Sequence, residues 1–197
     1  MVIRRMSPMS VNRFFRTRRV GTHACIGVLC ALIAGACDRG ANEEAKPNAS
    51  NGAADALPPG FFLNTAPAGA KSVLEVKRTA KIGDKIVVRG RIGGSKSPFV
   101  EGRAMFTLTD MSLPPCNANP EDKCPTPWDY CCEPSDRIAA HSLTAQVLGP
   151  ERKPLHISLD GAGRLRPLAE VLVTGRVIQN NGEGLVVLAV DDLFVQP

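Results

Sequence analysis

Apolar and polar positions trade places with period two in several segments of the chain, and that period belongs to strands half buried on one face. In "DKIVVRGRIGG", Ile86, Val88, Gly90 and Ile92 fall on one side, while Lys85, Val87, Arg89 and Arg91 fall on the other. "RAMFTLTD" sends Ala104, Phe106 and Leu108 inward and Thr107 and Thr109 outward. "SLTAQVLG" sets Leu143, Ala145 and Val147 against polar Thr144 and Gln146. "AEVLVTGRVIQ" and "GLVVLAVDDLF" are more continuously apolar, and the "NNGEG" between them has the Asn-Gly step of a hairpin turn. "PLHISLD" extends the third strand through a further hairpin, and "GAGRLRPLAE" leaves room for only a turn or two of helix. The pattern predicts an all-β domain with at most one short helix, in the strand range of a small barrel.

The order of these segments resembles the OB-fold, in its small bacterial and anticodon-binding forms. The matching residues are "GDKIVVRGRI", then "FTLTD", then "LTAQV", then "LRPLAEVLVTGRV" with "LVVLAVDDLFV" at the end. The strongest part is a repeated glycine inside a strand, Val88-Arg89-Gly90-Arg91-Ile92 and Val173-Thr174-Gly175-Arg176-Val177. Glycine weakens a strand unless the strand bends or bulges there, and a five-stranded Greek-key barrel coils its first and fourth strands. The resemblance spans Val73 to Val195 without the cysteine-rich segment. It implies a fold rather than an activity, because this fold hosts many unrelated functions.

Ahead of the domain, Met1 to Arg19 carries six arginines and no acid, and the apolar run "ACIGVLCALIAGAC" follows it. That run is shorter than the ~20 residues of a comfortable membrane span. A basic head, a short apolar stretch and a small-residue exit make residues 1–37 an export signal. The exit "IAGAC" resembles a bacterial lipobox, which implies cleavage before Cys37 and lipid attachment to it. The expected location is therefore the periplasmic or outer side of a bacterial membrane, with the lipid as anchor. Residues 38–70, rich in Ala, Asn, Pro and Gly, read as a flexible tether; Phe61 and Phe62 are its exception, read either as docking on the domain or the membrane or as a chance apolar spot. Residues 71–197 form the domain.

Charge then changes meaning. The whole chain is +5, with 24 Lys and Arg against 19 Asp and Glu. Removing the six signal arginines leaves 18 cations against the same 19 acids, a net charge of −1. The mature part has no global attraction for phosphates.

The most unusual chemistry sits where the fold needs only a turn. Between Asp110 and Ser142 lies a 31-residue insertion, 111–141, holding four of the seven cysteines together with the only Trp and the only Tyr. Long loops inside compact domains are usually functional or disordered, and four cysteines argue against disorder. In an exported protein, Cys116, Cys124, Cys131 and Cys132 read first as two disulfides, with three pairings open. Joining Cys131 to Cys132 makes a strained ring, so the favoured pairings link Cys116 and Cys124 to the adjacent pair. Closing a loop of ~15 residues contributes roughly 3 kcal/mol in the chain-entropy model. Zinc or another thiophilic metal is the second reading. The gaps of seven, six and zero residues differ from the short spacings of structural zinc sites. A thiol-redox role ranks third, since no C-x-x-C motif supports it.

Trp128 and Tyr130 are candidate ligand contacts, because amphipathic aromatics anchor interfaces at low entropic cost. The competing reading packs Trp128 above the barrel as filler. Lys85, Arg89, Arg91 and Arg176 are candidates for a basic stripe facing an anionic polymer. His141 and His156 read as surface or strand residues. Nucleophile-elbow, phosphate-loop and metalloprotease motifs are all missing, and Asp191 and Asp192 point to opposite faces of a strand. The expected function is that of a lipid-anchored binding or interaction module with no assigned cofactor, its partner an envelope protein or an anionic polymer. Nucleic-acid binding is the alternative. It is opposed by the export signal and by the lack of exposed strand aromatics on which bases could stack.

Overall fold

A computed structural model describes residues 56–197; the export segment and Cys37 lie outside the described residues. The strands are β1 (Lys71–Ser72), β2 (Lys85–Ile92), β3 (Met105–Thr109), β4 (Ser142–Gln146), β5 (Glu170–Asn180) and β6 (Val186–Val195), with helices α1 (Val73–Thr79) and α2 (Ser135–Ala140). The sheet runs β1-β2-β3-β4-β6-β5, and β5 pairs back onto β2, so that five strands close into a barrel. All the barrel pairings are antiparallel except β4 with β6, where Ala145 stands beside Leu188. This is the Greek-key connectivity of an OB-like barrel, all-β with an insertion between its second and third barrel strands.

The alternation expected from the sequence is the alternation observed. Val88, Ile92, Phe106, Leu108, Leu143 and Ala145 are buried in one core cluster with Val173, Leu188 and Leu193. Of the two mid-strand glycines, Gly175 sits at the bulge expected of it, whereas Gly90 keeps an unbroken register with β5 and is needed for close packing. A Cβ on Gly90 would lie 2.6 Å from Leu108 Cγ and 2.7 Å from the Thr109 carbonyl oxygen. On Gly175 it would run into the Ala189 carbonyl, at a register shift between Thr174 and Gly175. β5 therefore bulges where the barrel has to turn.

Helix is confined to short pieces. In α1 the Ser72 side chain accepts the Glu75 amide, an N-cap with an acid in the first turn. Val73 and Val76, one turn apart, are buried in the core. "GAGRLRPLAE" forms a single 3-10 turn, Ala162–Arg164. The "PLHISLD" hairpin is short: Gly149 donates to the Lys153 carbonyl and Leu155 to that of Val147.

The end of the stretch read as tether belongs to the domain. Phe61 is buried in the core, its carbonyl accepts the Leu193 amide, and Leu63 donates back to the Leu193 carbonyl. Phe62 packs where Gly163 has no side chain, since a Cβ there would collide with its ring. Two adjacent aromatics were the only signal against a polar, proline-rich background. They add apolar area to a barrel that its own strands do not fully cover.

Candidate functional site

The insertion is held at both of its feet. Asp110, at the end of β3, is buried, and its Oδ2 accepts the Leu74 amide of α1 at 2.9 Å. Its Oδ1 accepts the Ser112 amide at 2.9 Å and the Ser112 hydroxyl at 2.7 Å. Burial opposes ionisation of this carboxyl, but the donors from Leu74 and Ser112 and the nearby His141 outweigh it, holding Asp110 below the usual carboxylate range. At the other foot, Lys77 of α1 donates to the carbonyls of Ala139 at 2.6 Å and Ser142 at 2.5 Å. Burial lowers the affinity of this amine for its proton. One helix thus clamps both ends of the loop.

Between the feet, two side chains tie the loop to the barrel. Leu113 and Tyr130 are fully buried. The Thr109 hydroxyl donates to the Arg91 carbonyl at 2.9 Å, so at the 3.0 Å contact with Tyr130 the phenol is the donor. Thr109, expected to face solvent, is therefore buried under the insertion. Gly93 makes the approach possible, since a Cβ there would sit 2.8 Å from both the Trp128 oxygen and Tyr130 Cε2. Trp128 is half-buried; its carbonyl accepts the Gly94 amide at 2.8 Å, and its Nε1 donates to the Lys96 carbonyl at 3.0 Å. Of the two aromatic candidates, Tyr130 is internal structure, and only Trp128 keeps an accessible face.

The cysteines converge. Cys131 Sγ lies 3.4 Å from Cys124 Sγ and 3.7 Å from Cys116 Sγ. Asp129 Oδ1 stands 3.9 Å from the sulfurs of both Cys116 and Cys124. Cys132 donates to Asp122 at 3.1 Å, and the two lie within 4.8 Å of Cys116 Sγ as a second group that shares Cys116. All four are free thiols in the structure. Cys116 is buried, whereas Cys131 and Cys132 are exposed. Burial works against a Cys116 thiolate, but the Cys132 amide and the thiols of Cys131, Cys132 and Cys124 outweigh it and lower its pKa. Those donors hold their protons more tightly: Cys131 is raised by its bonds to Cys124 and Cys116, and Cys132 is pushed up to about 11, chiefly by Asp122. Neither Asp122 nor Asp129 was a candidate in the sequence, where nothing sets them apart from other loop acids.

The basic stripe is not a free cationic surface. Arg89 and Arg91 share Glu170 at 3.3 and 3.2 Å, Lys85 lies 3.6 Å from Asp191, and Arg176 donates to the Gly83 carbonyl at 2.6 Å. For the arginines the reason is the β2–β5 register, which sets Arg91 opposite Glu170. His141 caps α2 through its amide, and His156 is exposed.

A groove of about 580 Å³ opens over the outer face of β3 and β4, floored by Thr107 and Thr144. α2 of the insertion forms one wall with Asp136 and Ala139, and the β5–β6 turn forms the other with Glu183 and Leu185. Its lining includes two acids and no Lys or Arg. Leu185 is 42% exposed, one of three large apolar side chains so placed among the described residues. The Asn181 carboxamide holds the turn by accepting the Glu183 and Leu185 amides. Comparison of the chain with known family models, curated proteins and solved structures yields no match in any of the three.

Proposed function

We propose that this chain is an exported, lipid-anchored module of the cell envelope. Its barrel binds a protein partner in the groove between α2 and the β5–β6 turn. The observation that carries this reading is the groove's charge: Asp136 and Glu183 line it and no cation does. A phosphate backbone entering it would meet like charge, whereas a neutral or lysine-bearing peptide would find complementary walls and an apolar contact at Leu185. The pairing of Arg89 and Arg91 with Glu170 weakens the case for an anionic polymer on the opposite stripe. The lipid on Cys37 would hold the groove near the membrane surface.

The test is a nuclear magnetic resonance titration of the mature protein with a lysine-rich decapeptide and, separately, with an oligothymidylate. The peptide should shift the amides of Thr107, Thr144 and Leu185, and Glu183→Lys should abolish those shifts. Shifts at the same amides with the oligonucleotide alone would reverse the ranking. For the anchor, Cys37→Ser should release the protein into the soluble envelope fraction.

A further inference from the structure

We infer that Cys116, Cys124 and Cys131, completed by the carboxylate of Asp129, form a binding site for a zinc-class thiophilic cation. The inference stands independently of the groove. It rests on the shape of the cluster. A tetrahedral zinc ion with bonds of about 2.3 Å to sulfur and about 2.0–2.2 Å to oxygen requires S···S edges of about 3.8 Å and S···O edges of about 3.5 Å. Four of the six edges are 3.4 and 3.7 Å between sulfurs, and 3.9 Å from Asp129 Oδ1 to each of two sulfurs. The four donor atoms all lie within 4.8 Å of one another.

Disulfides Cys124–Cys131 and Cys116–Cys132 would use all four sulfurs, but a disulfide calls for no carboxylate aimed at it. Asp129 is aimed deliberately: the Thr126 hydroxyl donates to its Oδ2 at 2.8 Å and the Cys131 amide to its Oδ1 at 2.9 Å. Donors of this kind orient a metal-ligating carboxylate.

The long spacings that speak against zinc in the sequence are resolved by the backbone. Cys116 opens a 3-10 turn, and Pro127–Asp129 forms another. Tyr130 follows in the left-handed region at φ 57°, reversing the chain so that Asp129 and Cys131 face the same point. Cys132 is held instead by Asp122, in a second group that shares Cys116. The site completed by Asp129 takes the other three cysteines. Three thiolates and one carboxylate fill a tetrahedron and leave no open position for water, so the ion's role would be to organise the loop rather than to hydrolyse a substrate.

The test starts from the mature protein, isolated from the envelope without reductant. Native mass spectrometry should show one zinc per chain. Alkylation should reach Cys132 at once, and Cys116, Cys124 and Cys131 only after chelator. Cobalt exchanged into the site should show thiolate-to-metal charge transfer and the visible bands of a tetrahedral ion. Asp129→Asn should weaken zinc at least about tenfold, and Thr126→Ala by about 10–100-fold, through the lost orienting bond. Cys132→Ser should leave affinity unchanged. Alkylation that waits for reductant rather than chelator, with no metal bound, would overturn the site in favour of two disulfides. Loss of metal in Cys132→Ser but not in Asp129→Asn would overturn the ligand set. Both readouts are taken on the wild-type chain as well, so a misfolded variant does not mask the answer.

Discussion

The barrel and its insertion are held together by different physics. Barrel strands bury Val88, Phe106, Leu108, Leu143 and Leu188 against one another, and their order follows from apolar area removed from water. In the 31 residues of the insertion, Leu113 and Tyr130 are the only large side chains fully buried. The loop is placed instead by directed polar contacts: Asp110 and Lys77 at its feet, Tyr130 on Thr109, and the sulfur cluster at its centre. Apolar burial is non-directional and tolerant, whereas each polar contact depends on a particular partner. The insertion should therefore fail piecemeal under changes that leave the barrel standing.

The largest effect belongs to the barrel. Leu108→Ala should lower global stability by about 2–5 kcal/mol through the cavity it leaves, shifting both regions together in a urea titration. Asp110→Ala should cost roughly 1.5–3 kcal/mol, since it strips charge-assisted bonds from the Leu74 and Ser112 donors, with the loss concentrated in exchange protection of 111–141. The same carboxylate sets a pH dependence. Its folded pKa is depressed, so its contribution is complete above the unfolded value of about 3.9 and is lost as pH falls through the lower folded value. Loop protection should therefore fall below about pH 4 in wild type but not in Asp110→Asn. Gly93→Ala should push Trp128 and Tyr130 off the barrel at a cost of about 1–3 kcal/mol, read as a change in Trp128 emission with far-ultraviolet circular dichroism unchanged. Tyr130→Phe is the mildest change, at about 0.5–1.5 kcal/mol for one buried hydrogen bond.

The difference between the two regions also decides how much could be read in advance. A two-residue period carries its own burial map, so the five barrel strands, most of their inward faces and the bulge at Gly175 were visible in the chain. Helix α1 was not read from the sequence, because two turns of helix give too little periodicity to stand out. The insertion could be located by its length and cysteines, yet its interior could not be laid out. Asp129 becomes a partner of the sulfurs only through the left-handed turn at Tyr130, and no local pattern announces that turn. Thr109 was placed outward because alternation describes a strand and its sheet, and takes no account of a loop folding over the outer face. Phe61 was left open for a similar reason, docking on the domain being one of its readings, because a short apolar spot reveals its packing only when the surface that receives it is known.

The most direct test of the division between barrel and insertion is hydrogen exchange on the wild-type protein, with and without a strong zinc chelator. Chelator should release the amides of 111–141 while β2, β5 and β6 keep their protection, and reductant added alone should change neither. Barrel strands opening together with the loop would make the cysteine cluster part of the core, and release by reductant in place of chelator would put disulfides where the metal centre is inferred.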